Sequence, residues 1–297
     1  MYPRPFTYHR AASLKDAAAT LAELGPEAKL LAGGQSLVPL MKLRLSSPAA
    51  LIDVGHIQGL NYIRAENGAF RIGALARHTD MAQSAAARHV PILHDCAAGI
   101  ADVQVRNWGT VVGSIAEADP TGDWAPVLLV LDTEVECLAN HGRRSLGLAG
   151  FIQDAFTTAL RPGEVMQELR VKATERGSGG CYLAFKRCAP VYASASVAVQ
   201  LALEGATCRQ ARVALGAVAL TPVVATESAK ALEGSDLNAK SIARAAEAAA
   251  ASCEPPCDGR GSTEYKRALI RKLFTQAVNV AARRARGESV EVSHHYA

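Results

Sequence analysis

The sequence predicts an α+β fold in two parts: small α/β units first, then a three-stranded sheet followed by three helices. Three observations predict it. The opening ~55 residues interleave short apolar runs with an amphipathic helix pattern. A polar, glycine-rich stretch, Glu175-Arg-Gly-Ser-Gly-Gly180, separates two structured regions. Beyond it, strand-like segments come first and helical ones later.

In chain order, Ser13-Leu-Lys-Asp16 opens a helix with a capping hydroxyl and an acid in the first turn. Apolar residues recur at Leu14, Ala17, Ala18, Leu21 and Leu24, and Gly25-Pro26 ends it. Lys29 to Ala32 reads as a buried strand, Leu37 to Leu45 as a short helix and Ala50 to Val54 as a second strand. Leu60 to Ile63 and Ala69 to Ala74 pair through Asn67-Gly68, a favoured hairpin turn. Alanine-rich helices follow around Thr79 to Arg88 and Pro91 to Ile100. Val105 to Ala116 is glycine-punctuated and otherwise strand-like; Asp123 to Leu131 reads as a helix packed under it. Strands at Glu134 to Leu138 and Glu164 to Val171 complete this part. After the link, Tyr182 to Lys186, Ser194 to Leu203 and Arg209 to Ala219 are the β-segments. Thr226 to Leu232, Asn238 to Ser252 and Gly261 to Arg286 are the helices, and the tail from Glu288 is expected to be poorly ordered.

The chain has 297 residues, 49% of them hydrophobic and 20% charged, the composition of a soluble globular protein with room for two cores. A net charge of +4 is too small for a dedicated nucleic-acid binder. The densest basic segment, Lys266, Arg267, Arg271, Lys272, Arg283, Arg284 and Arg286, has the spacing of a solvated helix face. No secretory signal opens the sequence and no apolar run reaches membrane-spanning length. Seven cysteines without a Cys-x-x-Cys pair suit a reduced, cytoplasmic protein. Cys253-Glu-Pro-Pro-Cys257 lacks the second pair of a zinc site, and His294-His295 lies in the tail, so no metal site is assigned. A four-iron cluster needs several more cysteines in the first part than Cys96 and Cys137. Ser-His-Asp chemistry lacks its Gly-x-Ser-x-Gly elbow.

Leu31-Ala-Gly-Gly-Gln-Ser36 is the most informative segment. A strand ending in two glycines and a hydroxyl exposes successive backbone N–H groups, which suits a phosphate or pyrophosphate. An ordinary tight turn is the other reading, and neither a Gly-x-Gly-x-x-Gly fingerprint nor a P-loop is present. Gly109-Thr-Val-Val-Gly-Ser114 offers the same ingredients, so two loops could clamp one dinucleotide. Glu117, Asp119 and Asp123 stand beside it and would repel a phosphate. Spacing leaves Asp123 either a helix cap or a partner of ribose hydroxyls.

Ala32 to Ser36, Gly109 to Asp123, Ala184-Phe-Lys-Arg187 and Asp258-Gly-Arg-Gly-Ser-Thr-Glu-Tyr265 occur in that order. In this combination the chain resembles, from Pro5 to about Gly287, the FAD-binding medium subunit of the molybdenum hydroxylases. That family includes xanthine, carbon monoxide and aza-arene dehydrogenases. The resemblance implies an FAD-binding domain of the PCMH type over 1–176, with subdomains of about 1–57 and 58–176. It places a carboxy-terminal domain of three strands and three helices at 181–287 and a tail at 288–297. FAD binding is carried onto Ala32, Gly33, Gly34, Gln35, Ser36 and Leu37, and onto Thr110, Gly113 and Ser114, with Asp123 near the ribose and Lys186 near the flavin. No catalytic acid or base toward the organic substrate is implied. The expected partners are a large molybdenum-cofactor subunit and a small subunit with [2Fe-2S] clusters, in a dimer of heterotrimers.

Three residues depart from the family pattern. Val112 replaces the first glycine of a pair, Glu117 a histidine or small polar residue, and Val191 an acid before Tyr192. Val112 is expected at negative φ with its side chain in the core. The alternatives are a flavin-free assembly subunit and a free-standing flavin oxidoreductase.

Overall fold

The computed structural model describes residues 2–188 and 190–292, together with the backbone of residues 295–296. The first elements are β1 (Thr7–Arg10), α1 (Leu14–Leu24), β2 (Ala28–Leu31), α2 (Leu37–Lys42) and β3 (Ala50–Asp53). The strands form a parallel sheet in the order β1-β3-β2. Ser13 caps α1 by accepting the Asp16 N–H at 3.0 Å, and Asp16 accepts the Ala12 N–H at 2.8 Å, a reciprocal capping arrangement. A small core of Leu14, Ala17, Ala18 and Ile52 lies between helix and sheet.

The chain then forms β4 (Ile63–Glu66) and β5 (Ala69–Gly73), an antiparallel hairpin whose turn residues Asn67 and Gly68 both have positive φ. Five helices follow: α3 (His78–Gln83), α4 (Ala85–His89), α5 (Pro91–Gly99), α6 (Val103–Trp108) and α7 (Val111–Glu117). After α8 (Trp124–Val130) come β6 (Glu134–Ala139), β7 (Gly142–Gly147), α9 (Leu148–Phe151), β8 (Ile152–Asp154), β9 (Thr157–Thr158) and β10 (Val165–Lys172). The larger sheet is antiparallel in the order β4-β5-β10-β6-β7. The helix read over Thr79 to Arg88 is two, because Ser84 leaves the helical region and caps α4 through the Ala87 N–H.

Then come β11 (Ser178–Lys186), β12 (Ala195–Glu204), β13 (Thr207–Gly216), β14 (Val223–Val224), α10 (Thr226–Leu232), α11 (Ala239–Ala251), α12 (Thr263–Ala285) and β15 (His295–Tyr296). The sheet order is β14-β13-β12-β11-β15. Side-chain alternation divides its two faces. Cys181, Leu183, Val197, Val199, Leu201, Val213 and Leu215 pack on α10, α11 and α12. Tyr182, Ala184, Ala198 and Ala214 face the other way and join the core around α5 and α8. A face built mostly of alanine lets those helices approach the strands closely.

Three expectations need correction here. The glycine-rich link is shorter than read, since β11 begins at Ser178; a Cβ on Gly179 would lie 2.2 Å from the Ala281 carbonyl oxygen of α12. The tail is not wholly irregular, because β15 pairs in parallel with β11 at Phe185 and Lys186; His294 lies outside the described residues. The basic stripe on α12 is not all solvated. Lys266 and Arg284 are buried, paired with Asp258 at 2.8 Å and Asp95 at 2.6 Å, while Arg271 stays exposed.

Candidate functional site

The segment after β2 turns sharply before α2. Gly34 has a φ of 71°. Gly33 is required by close approach: a Cβ there would sit 2.1 Å from the Trp108 carbonyl oxygen and 2.9 Å from the Gly109 Cα. So the first loop presses directly on the turn between α6 and α7, and the two loops singled out in the sequence meet. Among the described residues, the backbone N–H groups of Gly33, Gly34, Gln35 and Ser36 donate to no protein group. They form an open row of donors. The reason for Gly33 thus differs from the one read in the sequence, where its bare backbone served the ligand alone. Gly33→Ala should destabilise the fold by about 1–3 kcal/mol through overpacking. A drop in the thermal midpoint of the chain, with or without ligand, checks this.

The second loop is helical rather than strand-like. Thr110 caps α7, its hydroxyl accepting the Gly113 N–H at 3.1 Å, and the Ser114 N–H donates to the Thr110 carbonyl at 3.1 Å. These donors are engaged within the helix start, so this loop is not a second open nest. Val112 has helical φ and joins the core at 3% exposure, as expected, but it also borders the cavity. Thr110, Gly113, Ser114 and Glu117 recur at three- and four-residue spacing and line one side of a common cavity.

That cavity has a volume of about 910 Å³ and is lined by Ala32, Gly33, Gly34, Gln35, Ser36, Leu37, Thr110, Gly113, Ser114, Asp123 and Lys186. All the residues proposed for the cofactor therefore share one space. Asp123 is not the cap of α8: its side chain makes no capping bond. Its Oδ2 instead accepts from Lys186 Nζ at 2.9 Å and its Oδ1 from the Tyr182 hydroxyl at 2.5 Å. Lys186 also donates to the Gly99 carbonyl at 2.9 Å, which leaves one of its three N–H groups. Asp119 closes its own turn, accepting from the Thr121 N–H and hydroxyl at 2.8 and 2.7 Å. Glu117 is half-buried, and burial and then the Asp119 charge push its carboxyl above the usual range.

Sequence reasoning missed Tyr182, Tyr192 and His78. Tyr192 lines the cavity mouth under the Arg260 guanidinium, 5.8 Å above its ring, close to the Ser36 side chain. Its phenol is pushed up to about 12, first by partial burial and then by Asp119. His78 is 5% exposed; its Nδ1 accepts the Trp124 indole N–H at 3.1 Å, and its backbone N–H donates to the Gly109 carbonyl. No local motif marks Tyr182 or His78, whose partners are far away in sequence, and Tyr192 entered the sequence reading only through its family-pattern neighbour Val191.

Burial lowers the His78 pKa from 6.5 to about 4. Between those values the unfolded chain binds the extra proton, so stability rises with pH there and falls on acidification. The loss should reach roughly 3 kcal/mol at pH 4, and His78→Gln should remove that part of the pH dependence. Urea midpoints of both proteins between pH 4 and 7 check it.

The row of open N–H groups, the Ser36 hydroxyl and the elongated cavity fit a dinucleotide, with Asp123 and Lys186 available to its uncharged portions. Residues 4–171 match the family described as FAD binding domain in molybdopterin dehydrogenase, and residues 180–281 that described as CO dehydrogenase flavoprotein C-terminal domain. The chain belongs to the FAD-binding medium-subunit family of the molybdenum hydroxylases. It is an oxidoreductase subunit, and its cofactor is FAD.

The carbon monoxide dehydrogenase medium chain of Afipia carboxidovorans is 36% identical, over 96% of this chain and 100% of that one. The protein of the same name from Hydrogenophaga pseudoflava is 38% identical, over 95% and 98%. Among solved structures, reconstituted CO dehydrogenase from Oligotropha carboxidovorans superposes with a TM-score of 0.93 at 36% identity, covering 96% of this chain and 100% of that one. Quinoline 2-oxidoreductase from Pseudomonas putida gives a TM-score of 0.91 at 30% identity, covering 96% and 99%. Among the described residues no helix is long and apolar enough to cross a membrane, and no cluster of His, Cys, Asp and Glu is placed to hold a metal.

Proposed function

We propose that this chain is the FAD-carrying electron-transfer subunit of a multi-subunit molybdenum hydroxylase. In this reading it takes electrons from the [2Fe-2S] centres of a small partner subunit and delivers them to an external acceptor. A large molybdenum-cofactor subunit oxidises the organic substrate, and the assembly is a dimer of heterotrimers. The observation that carries the reading is the convergence of both loops, Asp123 and Lys186 on one 910 Å³ cavity. Full-length similarity to medium chains supports the partner assignment. We read the chain as an FAD-binding domain over 1–176 and a carboxy-terminal domain over 181–287, in keeping with matches at 4–171 and 180–281. Seven free thiols, five of them buried, favour a reducing, cytoplasmic setting.

Bound FAD would supply reversible one- and two-electron chemistry. The residues of the chain hold and tune it. The N–H groups of Gly33 to Ser36 and the Ser36 hydroxyl bind the pyrophosphate. Asp123 accepts from a sugar hydroxyl, and Lys186 places a positive charge toward the flavin. Thr110, Gly113 and Ser114 form the opposite wall. Val112 lies in a helix and in the core while bordering the cavity, so it does not by itself favour a flavin-free assembly role.

The test is co-purification followed by reduction. The tagged chain should bring down a larger and a smaller subunit, and the flavin of that complex should bleach when the organic substrate is added anaerobically. Full substrate oxidation by the isolated chain would favour the free-standing oxidoreductase instead.

A further inference from the structure

Tyr182 lies behind the cavity wall and does not line it. It is 1% exposed and stands four residues before Lys186 on β11, so both side chains leave the same face of the strand. From across the core, Asp123 meets them both. Its two oxygens are divided: Oδ1 takes the Tyr182 hydroxyl at 2.5 Å and Oδ2 takes Lys186 Nζ at 2.9 Å. Behind the phenol lies the buried Ser196 hydroxyl, and the Tyr182 backbone N–H donates to Asp95 at 3.2 Å. The result is a buried phenol that donates to a cavity-lining carboxylate.

We propose that Tyr182 is a positioning residue that sets the charge the cavity presents to the flavin. The inference rests on the flavin reading given above. A phenol hydrogen bond draws negative charge away from Oδ1 and fixes the plane of the carboxylate. With that plane fixed, Oδ2 is directed at Lys186 and the ammonium keeps one N–H for the cavity. Without the phenol, Asp123 carries more of its negative charge and is held by Lys186 alone. The site becomes more negative, which opposes electron uptake by the cofactor and loosens the ribose contact.

The test is Tyr182→Phe in the full chain, isolated with the subunits that accompany it. Flavin midpoint potential and FAD dissociation constant are measured beside the parent protein. The potential should fall, and the dissociation constant should rise roughly tenfold. Ser196→Ala, which removes the neighbouring buried hydroxyl, should move both in the same direction by less. It carries the test by itself if Tyr182→Phe does not fold. A potential unchanged in whichever variants fold, whatever happens to their stability, overturns the inference and leaves Tyr182 a packing residue. A parent protein that holds no flavin overturns the flavin reading itself, and this inference with it.

Discussion

Replacing Asp123 with alanine should lower the stability of the folded chain by about 3–5 kcal/mol and abolish retention of FAD through purification. The size follows from what is left behind. Lys186 is 1% exposed, and in the variant its ammonium keeps only the Gly99 carbonyl; the Tyr182 phenol loses its acceptor in the same stroke. A buried charge without its partner costs far more than a lost surface pair. A cap restored by Asp123→Ser should not rescue it, because Asp123 caps nothing in the first place. Chemical denaturation of the three proteins, with flavin content measured on each, decides between the ion pair and any capping role.

The second large effect is expected at Arg284. Its guanidinium forks onto both oxygens of Asp95 at 2.6 and 2.9 Å and also donates to the Gly180 and Val290 carbonyls. Both side chains are nearly inaccessible, at 6% and 2%. The pair ties α5 to α12 and β11, across the faces where the two matched regions pack. Arg284→Met should therefore cost about 3–5 kcal/mol by removing the guanidinium from the buried Asp95 carboxylate. Asp95→Asn combined with Arg284→Met should recover a large part of that loss, since two neutral groups replace a broken ion pair. Urea midpoints for the single and double variants supply the comparison.

The carboxy-terminal half was largely legible in the sequence, and the physical reason is regularity. Long strands with alternating large and small apolar residues, and alanine-rich helices with clear caps at Asn238 and Ser262, satisfy local and tertiary demands together. The stretch from Val105 to Ala116 was misread because valine, threonine and glycine suggest strand by propensity. There, capping by Thr110 and burial of Val111, Val112 and Ile115 override that preference. The strand β1 has no apolar alternation to betray it, since its four residues are mostly exposed. At the site, the first loop could be read from its glycines, but its contact with Trp108 could not. Tyr182 and Asp123 are 59 positions apart, and only the packing of α5 on β11 and of α8 on β12 and β13 brings them together. Lys266 and Arg284 looked like surface charge because helical spacing does not reveal which face other parts of the chain will cover.

FAD is proposed to occupy the cavity formed by the Gly33–Gly34 loop, α7, Asp123 and Lys186. The most direct measurement is the absorption spectrum of the complex isolated with this chain, followed by release and quantitation of the flavin. A yellow protein with about one FAD per copy of this chain is expected, with that flavin lost in Asp123→Ala. A fully assembled, folded complex without flavin absorption would contradict it and make the chain an assembly subunit.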